Sequence, residues 1–479
     1  MTPHITPTRS ALVLLVLALF IVISGSFSED VLSQIGRFAA HDPGVRSSSG
    51  PVRDPDYLSG LMGNEKPMFD KGLEQFREEQ SVRGEEGGVK DTELGLGPRF
   101  NLDSCAGCHA FPVTGGTSPY ANPQVEVAKK EGANNEIPSF IKKDGPVREA
   151  RFKFNADGTP DGGVHALFTI KGRTDASGCG LEQPDFRTAV ARQNVVFRIP
   201  TPLFGAGLIE AIDDDAILAN LMAHGAAKQS LGIRGRPNTT GRSNTTGRPN
   251  TSGNDGTITR FGWKAQNKSL EIFSGEAYNV EQGITNELFP QERDETAGCR
   301  INETPENHTN LGDDVTDPLD VPSDVVKFAV FMRFLAPPTP APDNQSVVKG
   351  RKLFSDVSCA MCHTSTLHTG KSSVAALRDK DVNLYSDLAL HNMGQVLADD
   401  VSQGNAAGDE FRTAPLWGLG KRIFFLHDGR TKDLLEAIQA HAGFGGRQYG
   451  PSEANQVVEQ FNRLNEIDKQ HLLSFLRSL

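Results

Sequence analysis

Two short segments of this chain carry residue types that can hold a metal cofactor by covalent bonds. They are DSCAGCHAFP, residues 103–112, and SCAMCHTS, residues 358–365. Each has two cysteines with two residues between them and a histidine directly after. Four of the six cysteines lie in these segments. Two thiols on one turn can each add across a vinyl group of a haem, and the imidazole that follows can then reach the iron from below. That spacing is the pattern of c-type haem attachment. A zinc site made of two CxxC pairs usually keeps them within some tens of residues and gives no reason for the histidine in both copies. A redox dithiol needs one CxxC, not two. The expectation is two covalent haems c. Cys105 and Cys108 bind the first, with His109 as its iron ligand. Cys359 and Cys362 bind the second, with His363. Cys179 and Cys299 remain. In an exported chain they most simply form one structural disulfide. The alternative is a redox-active pair, although neither lies in a CxxC.

The rest of the chain must position these groups. At 479 residues it is too long for one core, which implies two or three domains. The formal net charge is −11 and no long basic run occurs, which argues against a nucleic-acid partner and is compatible with a basic protein partner. Residues 11–23 are continuously apolar, preceded by Arg9 and followed by Ser24, Gly25 and Ser26. That is the layout of a secretory signal. The run is short against the ~20 residues of a membrane span. Residues 1–26 are therefore read as a signal peptide, with an uncleaved N-terminal membrane anchor as the alternative. Either way the body of the chain is exported, periplasmic or otherwise, which suits covalent haem.

Two tracts divide the sequence. Residues 235–252, GRPNTTGRSNTTGRPNTS, repeat a six-residue unit without an apolar side chain and cannot build a core. They read as a low-complexity insertion. Residues 336–344, APPTPAPDN, are dense in proline and read as a stiff linker. The expected domains are 27–335 and 345–479. Both sides of the linker share one order of parts: a helix with glycine and phenylalanine four apart (Gly72 and Phe76; Gly350 and Phe354), the CxxCH, an FRxxPL-type turn, and an apolar helix. Four elements in the same order argue for an internal duplication.

Longer segments carry a family resemblance. RFNLDSCAGCHAFPVTGG, FRIPTPLFGAGLIEAI, RFGWKAQNKSLEIF, YNVEQGITNELFP, YSDLALHNMG and FRTAPLWGLGKRIFFLHDGRTKDLLEAIQAHAG span the chain from about residue 60 onward. The chain resembles the exported di-haem oxidoreductases, sometimes labelled thiol oxidoreductases, within the wider superfamily of bacterial di-haem cytochrome c peroxidases. The resemblance implies a mainly α fold: two cytochrome c-like haem domains facing each other, with long irregular loops and insertions. It implies electron collection at the C-terminal haem, from a small redox protein or other donor. It implies that a small molecule, a peroxide or a thiol, meets the N-terminal haem. It leaves open a Ca2+ between the domains.

The remaining iron ligands separate a catalyst from an electron carrier, because an open iron face admits a substrate and a sixth protein ligand blocks it. For the second haem the candidates are His391, Met393, His427 and His441. In the peroxidase pattern HDG is followed by a methionine ligand, and His441 stands at that position here. His441 is therefore the expected sixth ligand. His427 reads as a structural or propionate-side group of the HDG turn, and Met393 as core. For the first haem the next histidine is His165, which reads better as a packed or surface group, so that iron is expected to be open. The resemblance places a distal acid–base glutamate at Glu281, whose plain alternative is a solvated surface carboxylate. It places a bridging tryptophan near Trp263, whose alternative is ordinary packing. Arg198 and Arg412, in the two FRxxPL-type turns, are candidates for haem propionates. A pure electron carrier with both irons six-coordinate, or a thiol oxidoreductase, are the competing functions.

Overall fold

A computed structural model of the chain describes residues 39–46, 54–81, 93–130, 135–170, 177–239, 258–291, 293, 296–299, 302, 304–313 and 315–479. The apolar run at 11–23 and most of the tract at 235–252 lie outside the described residues. Among the described residues no helix is long and apolar enough to cross a membrane.

The helices that frame the two CxxCH segments are, in chain order, α1 Glu65–Arg77, α2 Cys105–Cys108, α3 Leu270–Glu281, α4 Asp324–Phe334, α5 Gln345–Asp356, α6 Leu434–Ala440, α7 Asn455–Asn462 and α8 Glu466–Ser478. Helix α1 buries Phe69, Gly72, Leu73 and Phe76, a single stripe at helical spacing. The stripe packs on α4, where Phe331 meets the rings of Phe69 at 5.4 Å and Phe76 at 4.8 Å. The helices come this close because Gly72 lies at the crossing. A Cβ there would collide with the Lys327 carbonyl and lie 2.9 Å from Phe331 Cβ. The C-terminal half repeats the device. Helix α5 crosses α8 at Gly350, where a Cβ would collide with the His471 carbonyl and lie 2.7 Å from Phe475 Cβ. Phe76 then reaches the His109 ring at 5.9 Å, and Phe354 reaches the His363 ring at 6.2 Å. The duplicated order read in the sequence is thus a duplicated packing arrangement.

Strands are short and serve as brackets. Strand β1 Glu149–Phe152 pairs antiparallel with β2 Val164–His165 on one edge and β3 Val195–Arg198 on the other. Glu149 and Arg151 are two apart on β1 and so share a face, with Arg198 directly opposite Glu149. In the C-terminal half, β4 Leu390–Asn392 pairs with β5 Glu410–Arg412, with Leu390 opposite Arg412 and His391 opposite Phe411.

Besides clusters of their own, the two halves share one apolar cluster. The cluster of Phe69, Phe76, Phe328 and Phe331 continues into Leu377, Leu384 and Trp417 of the C-terminal half. Residues 39–46, which the sequence reading assigns to the N-terminal domain, pack on the C-terminal one. Ala40 joins the core of Phe354, Phe461 and Phe475, and Asp42 accepts a hydrogen bond from Arg477 Nε at 2.6 Å. An acidic side chain between His41 and Pro43 gives no local sign of a partner 435 positions away. Cys179 and Cys299 form a disulfide inside the cluster of Phe100, Phe168 and Leu181, as a structural cross-link would.

Candidate functional site

Each CxxCH lies against a large cavity. The first cavity encloses about 1250 Å³ with its mouth and is lined by Cys105, Cys108 and His109. Local structure fixes these three side chains. Ser104 caps α2 and its hydroxyl accepts from the Gly107 N–H, while the His109 N–H donates to the Cys105 carbonyl at 3.0 Å. Both cysteines and the histidine therefore share one turn. His109 Nδ1 lies 3.0 Å from the Gly116 carbonyl. An imidazole that donates from Nδ1 offers its Nε2 lone pair to a metal. Burial lowers the His109 pKa to about 4, so the ring is neutral at pH 7 as ligation requires.

The second cavity, about 1430 Å³ with its mouth, is lined by Cys359, Cys362 and His363. His363 Nδ1 lies 3.0 Å from the Tyr385 carbonyl, the counterpart of the His109 anchor. Burial, and then His441, lower its pKa to about 4. His441 lines the same cavity just after α6, its Nδ1 2.7 Å from the Ala437 carbonyl, which again leaves Nε2 available. Burial lowers its pKa too. His391 also lines the cavity but has neither nitrogen to spare. Nδ1 lies 2.8 Å from Glu453 and Nε2 3.0 Å from Asp387. Burial opposes its charge, yet the Cys362 sulfur and the Asp387 carboxylate outweigh it and hold its pKa well above the usual value. It is an imidazolium clamp. His427 stacks on Phe411 at 4.3 Å and lines the same cavity. Met393, expected in the core, is half-buried and lines it as well.

The four cysteines are unpaired with one another, and the donor sets suit two haems. A second observation supports the fit at the second cavity. Arg412 and Arg422 are buried on its wall and have no carboxylate partner among the described residues. Arg412 donates to the carbonyls of Gly262 at 2.9 Å and Thr413 at 3.4 Å, and Arg422 to Pro415 at 3.4 Å. Burial lowers both to a pKa of about 10, so both remain cations. Buried unpaired charge is costly, and haem propionates are the anions that would neutralise it. Arg412 thus has the surroundings its expected role needs. Arg198 does not. It lines the first cavity, but its fork is filled by Asp399 Oδ2 at 2.6 Å and by the Gln403 side chain. Both partners come from the C-terminal half, so Arg198 joins the halves.

Glu281, at the end of α3, lines the first cavity. Its carboxylate accepts from Asn101 Nδ2 at 2.6 Å, and Glu149 lines the same cavity. Burial and then Glu149 raise its pKa to about 8. Trp263 lines both cavities, its indole N–H donating to the Ile199 carbonyl at 2.8 Å. His165 lies outside the cavity. It pairs with Asp161 at 2.9 Å and stacks on Phe152 at 3.8 Å. No second histidine of the described residues lines the first cavity, where Tyr278 and Met332 complete the set of conventional iron ligands. Sequence reasoning missed Glu149, Arg151, Arg422 and Gln403. The alternation Glu-Ala-Arg at 149–151 was the available signal for two of them, since it puts both charges on one face of a strand. As for an inter-domain Ca2+, no cluster of three carboxylates occurs among the described residues. Asp399 at the boundary is already held by Arg198 and by Lys264 at 3.2 Å.

The family model described as "Di-haem oxidoreductase, putative peroxidase" matches residues 152–479, starting after the first CxxCH. No curated protein matches the chain significantly. Three solved structures resemble parts of it. A MauG-like protein associated with microbial copper homeostasis is 19% identical over 34% of this chain and 55% of its own, with a TM-score of 0.24. The diheme peroxidase BthA from Burkholderia thailandensis is 14% identical over 46% of this chain and 65% of its own, with a TM-score of 0.28. Hydrazine synthase from Kuenenia stuttgartiensis is 16% identical over 34% and 56%, with a TM-score of 0.22. The chain spans a little over half the length of the first of these, and likeness at this level carries no argument about activity. The family match covers well over half of the sequence and includes the second CxxCH, the FRxxPL-type turns and Glu281. The chain belongs to the di-haem oxidoreductase family.

Proposed function

We propose that the chain is an exported di-haem c-type cytochrome that reduces a peroxide at the first CxxCH site with electrons received at the second. The unlike lining of the two cavities carries this reading. The second offers two imidazoles, His363 and His441, each with Nδ1 committed to a backbone carbonyl. Two such ligands close both faces of an iron and make an electron-transfer centre. The first offers His109 as the single histidine among the described residues, next to a carboxyl on Glu281 that stays protonated at neutral pH.

A haem bound in the first cavity supplies the iron at which an O–O bond can be broken. His109 would supply the ligand to its iron, and Cys105 and Cys108 would tether it by thioether bonds. Glu281, protonated at neutral pH, gives a proton to one peroxide oxygen and takes one back from the other. Hydrogen peroxide, two electrons and two protons give two molecules of water. The electrons come from a one-electron donor, such as a small redox protein, and reach the second site in single steps. Trp263, in the wall of both cavities, lies between the two sites. Covalent haem and the leader-like run at 11–23 support an exported, periplasmic location.

Electron paramagnetic resonance on the oxidised and half-reduced haem-loaded protein tests the reading. One bis-imidazole low-spin iron is expected, with a second iron that is high-spin in at least one of the two states. Two irons that stay low-spin in both states would instead assign a pure electron carrier.

A further inference from the structure

Peroxide cleavage needs an acid–base group, and the first cavity holds two carboxyls. Glu149 from β1 and Glu281 from α3 both line it, near enough for each to act on the charge of the other. Two buried carboxyls in one cavity cannot both ionise at little cost, so the pair keeps one proton. The charges around the pair decide where that proton sits. Arg151 Nε donates to Glu149 Oε1 at 2.6 Å, and Arg198 acts on Glu149 from β3. Glu281 instead accepts a neutral amide hydrogen from Asn101. Arg293, Arg99 and Glu276 add to the charged surroundings, and Asp103, Asp324, Cys105 and Cys108 lie in the same neighbourhood. Burial opposes the charge of Glu149, but the two arginines hold its pKa below the usual value, so the shared proton resides on Glu281.

Resting on the peroxide reading above, we propose that Glu149 is the second half of the acid–base device, so that a Glu149–Glu281 pair carrying one proton serves both oxygens of the peroxide. The pair takes the proton from one peroxide oxygen and then holds two. It gives one to the other oxygen, the O–O bond breaks, and that oxygen leaves as water. The pair is back to one proton. Two electrons from the donor and two further protons convert the oxygen left behind to a second water. Arg151 keeps Glu149 ionised between turnovers and is a positioning residue.

The test uses haem-loaded wild type, Glu149→Gln, Glu149→Asp and Glu281→Gln, with hydrogen peroxide as substrate and infrared difference spectra between acidic and alkaline pH. A protonated-carboxyl band that titrates near neutral pH is expected in the wild type. Glu281→Gln should abolish it. Glu149→Gln should move it to lower pH by removing the neighbouring charge, and shift the alkaline limb of kcat/KM the same way. The same variant should lower kcat/KM at neutral pH by about 10- to 100-fold, toward the lower range for general acid–base groups. Glu149→Asp should restore the wild-type band and most of the rate. A band or pH limb that ignores Glu149→Gln, in protein with unchanged haem spectra, would overturn the pair. Protein that shows the coupled titration but consumes no peroxide would support the shared proton and remove the peroxide reading.

Discussion

Trp263, which lines both cavities, and His427, which lines the second, meet edge to face with ring centroids 6.4 Å apart. Both are tied to Ile199, since the Trp263 indole donates to the Ile199 carbonyl and the Ile199 N–H donates to the His427 carbonyl. Trp263 is thus the ring that meets both cavities, and His427 extends that contact along the second.

Trp263→Phe keeps the ring contact and deletes the indole hydrogen bond. Electron transfer between the sites should slow by about tenfold, equivalent to ~1.4 kcal/mol of barrier. The spin states of both irons should stay as in the wild type. Stopped-flow oxidation of the fully reduced protein by peroxide measures this step. An unchanged rate would place the electron path elsewhere.

His441 and His391 line one cavity and should answer mutation differently. His441→Ala should make the second iron high-spin, or admit Met393 in its place with the charge-transfer band of a thioether ligand. His391→Ala should leave the spin state alone. It should cost about 3–5 kcal/mol, because Asp387 and Glu453 would be left as buried charges without their cation. Optical spectra and urea titration of the two variants separate these effects. A low-spin imidazole signature that survives in His441→Ala would end its candidacy as ligand.

Gly350→Ala places a methyl against the His471 carbonyl where α5 crosses α8. The helices must part, at a cost of about 1–3 kcal/mol. Thermal melting should register a loss of several degrees. The matching change Gly72→Ala should cost a similar amount, since it meets the Lys327 carbonyl at the same point of the repeat. Wild-type melting in both would refute the close crossing.

Asp399 is nearly inaccessible, 1% exposed at its side chain, between Arg198 and Lys264. Burial raises its pKa, but the attraction of Arg198, Lys264 and His427 is larger and brings it below the usual carboxylate value. Its stabilisation is therefore fully present above about pH 4, the unfolded carboxylate value, and is lost as pH falls through the folded one. Asp399→Asn should destabilise the protein by about 3–5 kcal/mol at neutral pH, because two buried cations lose their partner. Its stability should also fall less steeply than the wild type's between about pH 5 and pH 2. Urea titrations across that range check both parts. A variant as acid-sensitive as the wild type would assign the acid limb to other carboxylates.

The parts that were legible in the sequence are those governed by short-range spacing. Both CxxCH motifs, the Gly72–Phe76 and Gly350–Phe354 pairs and the FRxxPL-type turns declare themselves within a few residues, and the packing follows them. His441 was reachable through its offset from the HDG turn. What the sequence hid depends on partners far along the chain. Arg198 looks like any buried arginine until Asp399 and Gln403 arrive from 201 and 205 positions away. Glu149 gains meaning only when α3 brings Glu281 beside it. Asp42 is unremarkable until Arg477 is in place. The apolar cluster that crosses the proline-rich tract was hidden for the same reason, because it follows surfaces that meet from distant parts of the chain.

The Asp42–Arg477 contact bears on the order in which the molecule closes. Its two residues stand 435 positions apart. Contacts of such span carry a large loop-closure cost and form after the local ones. The strap at 39–46 therefore seals the C-terminal half only once the helices beneath it, Gln345–Asp356 and Glu466–Ser478, have already packed.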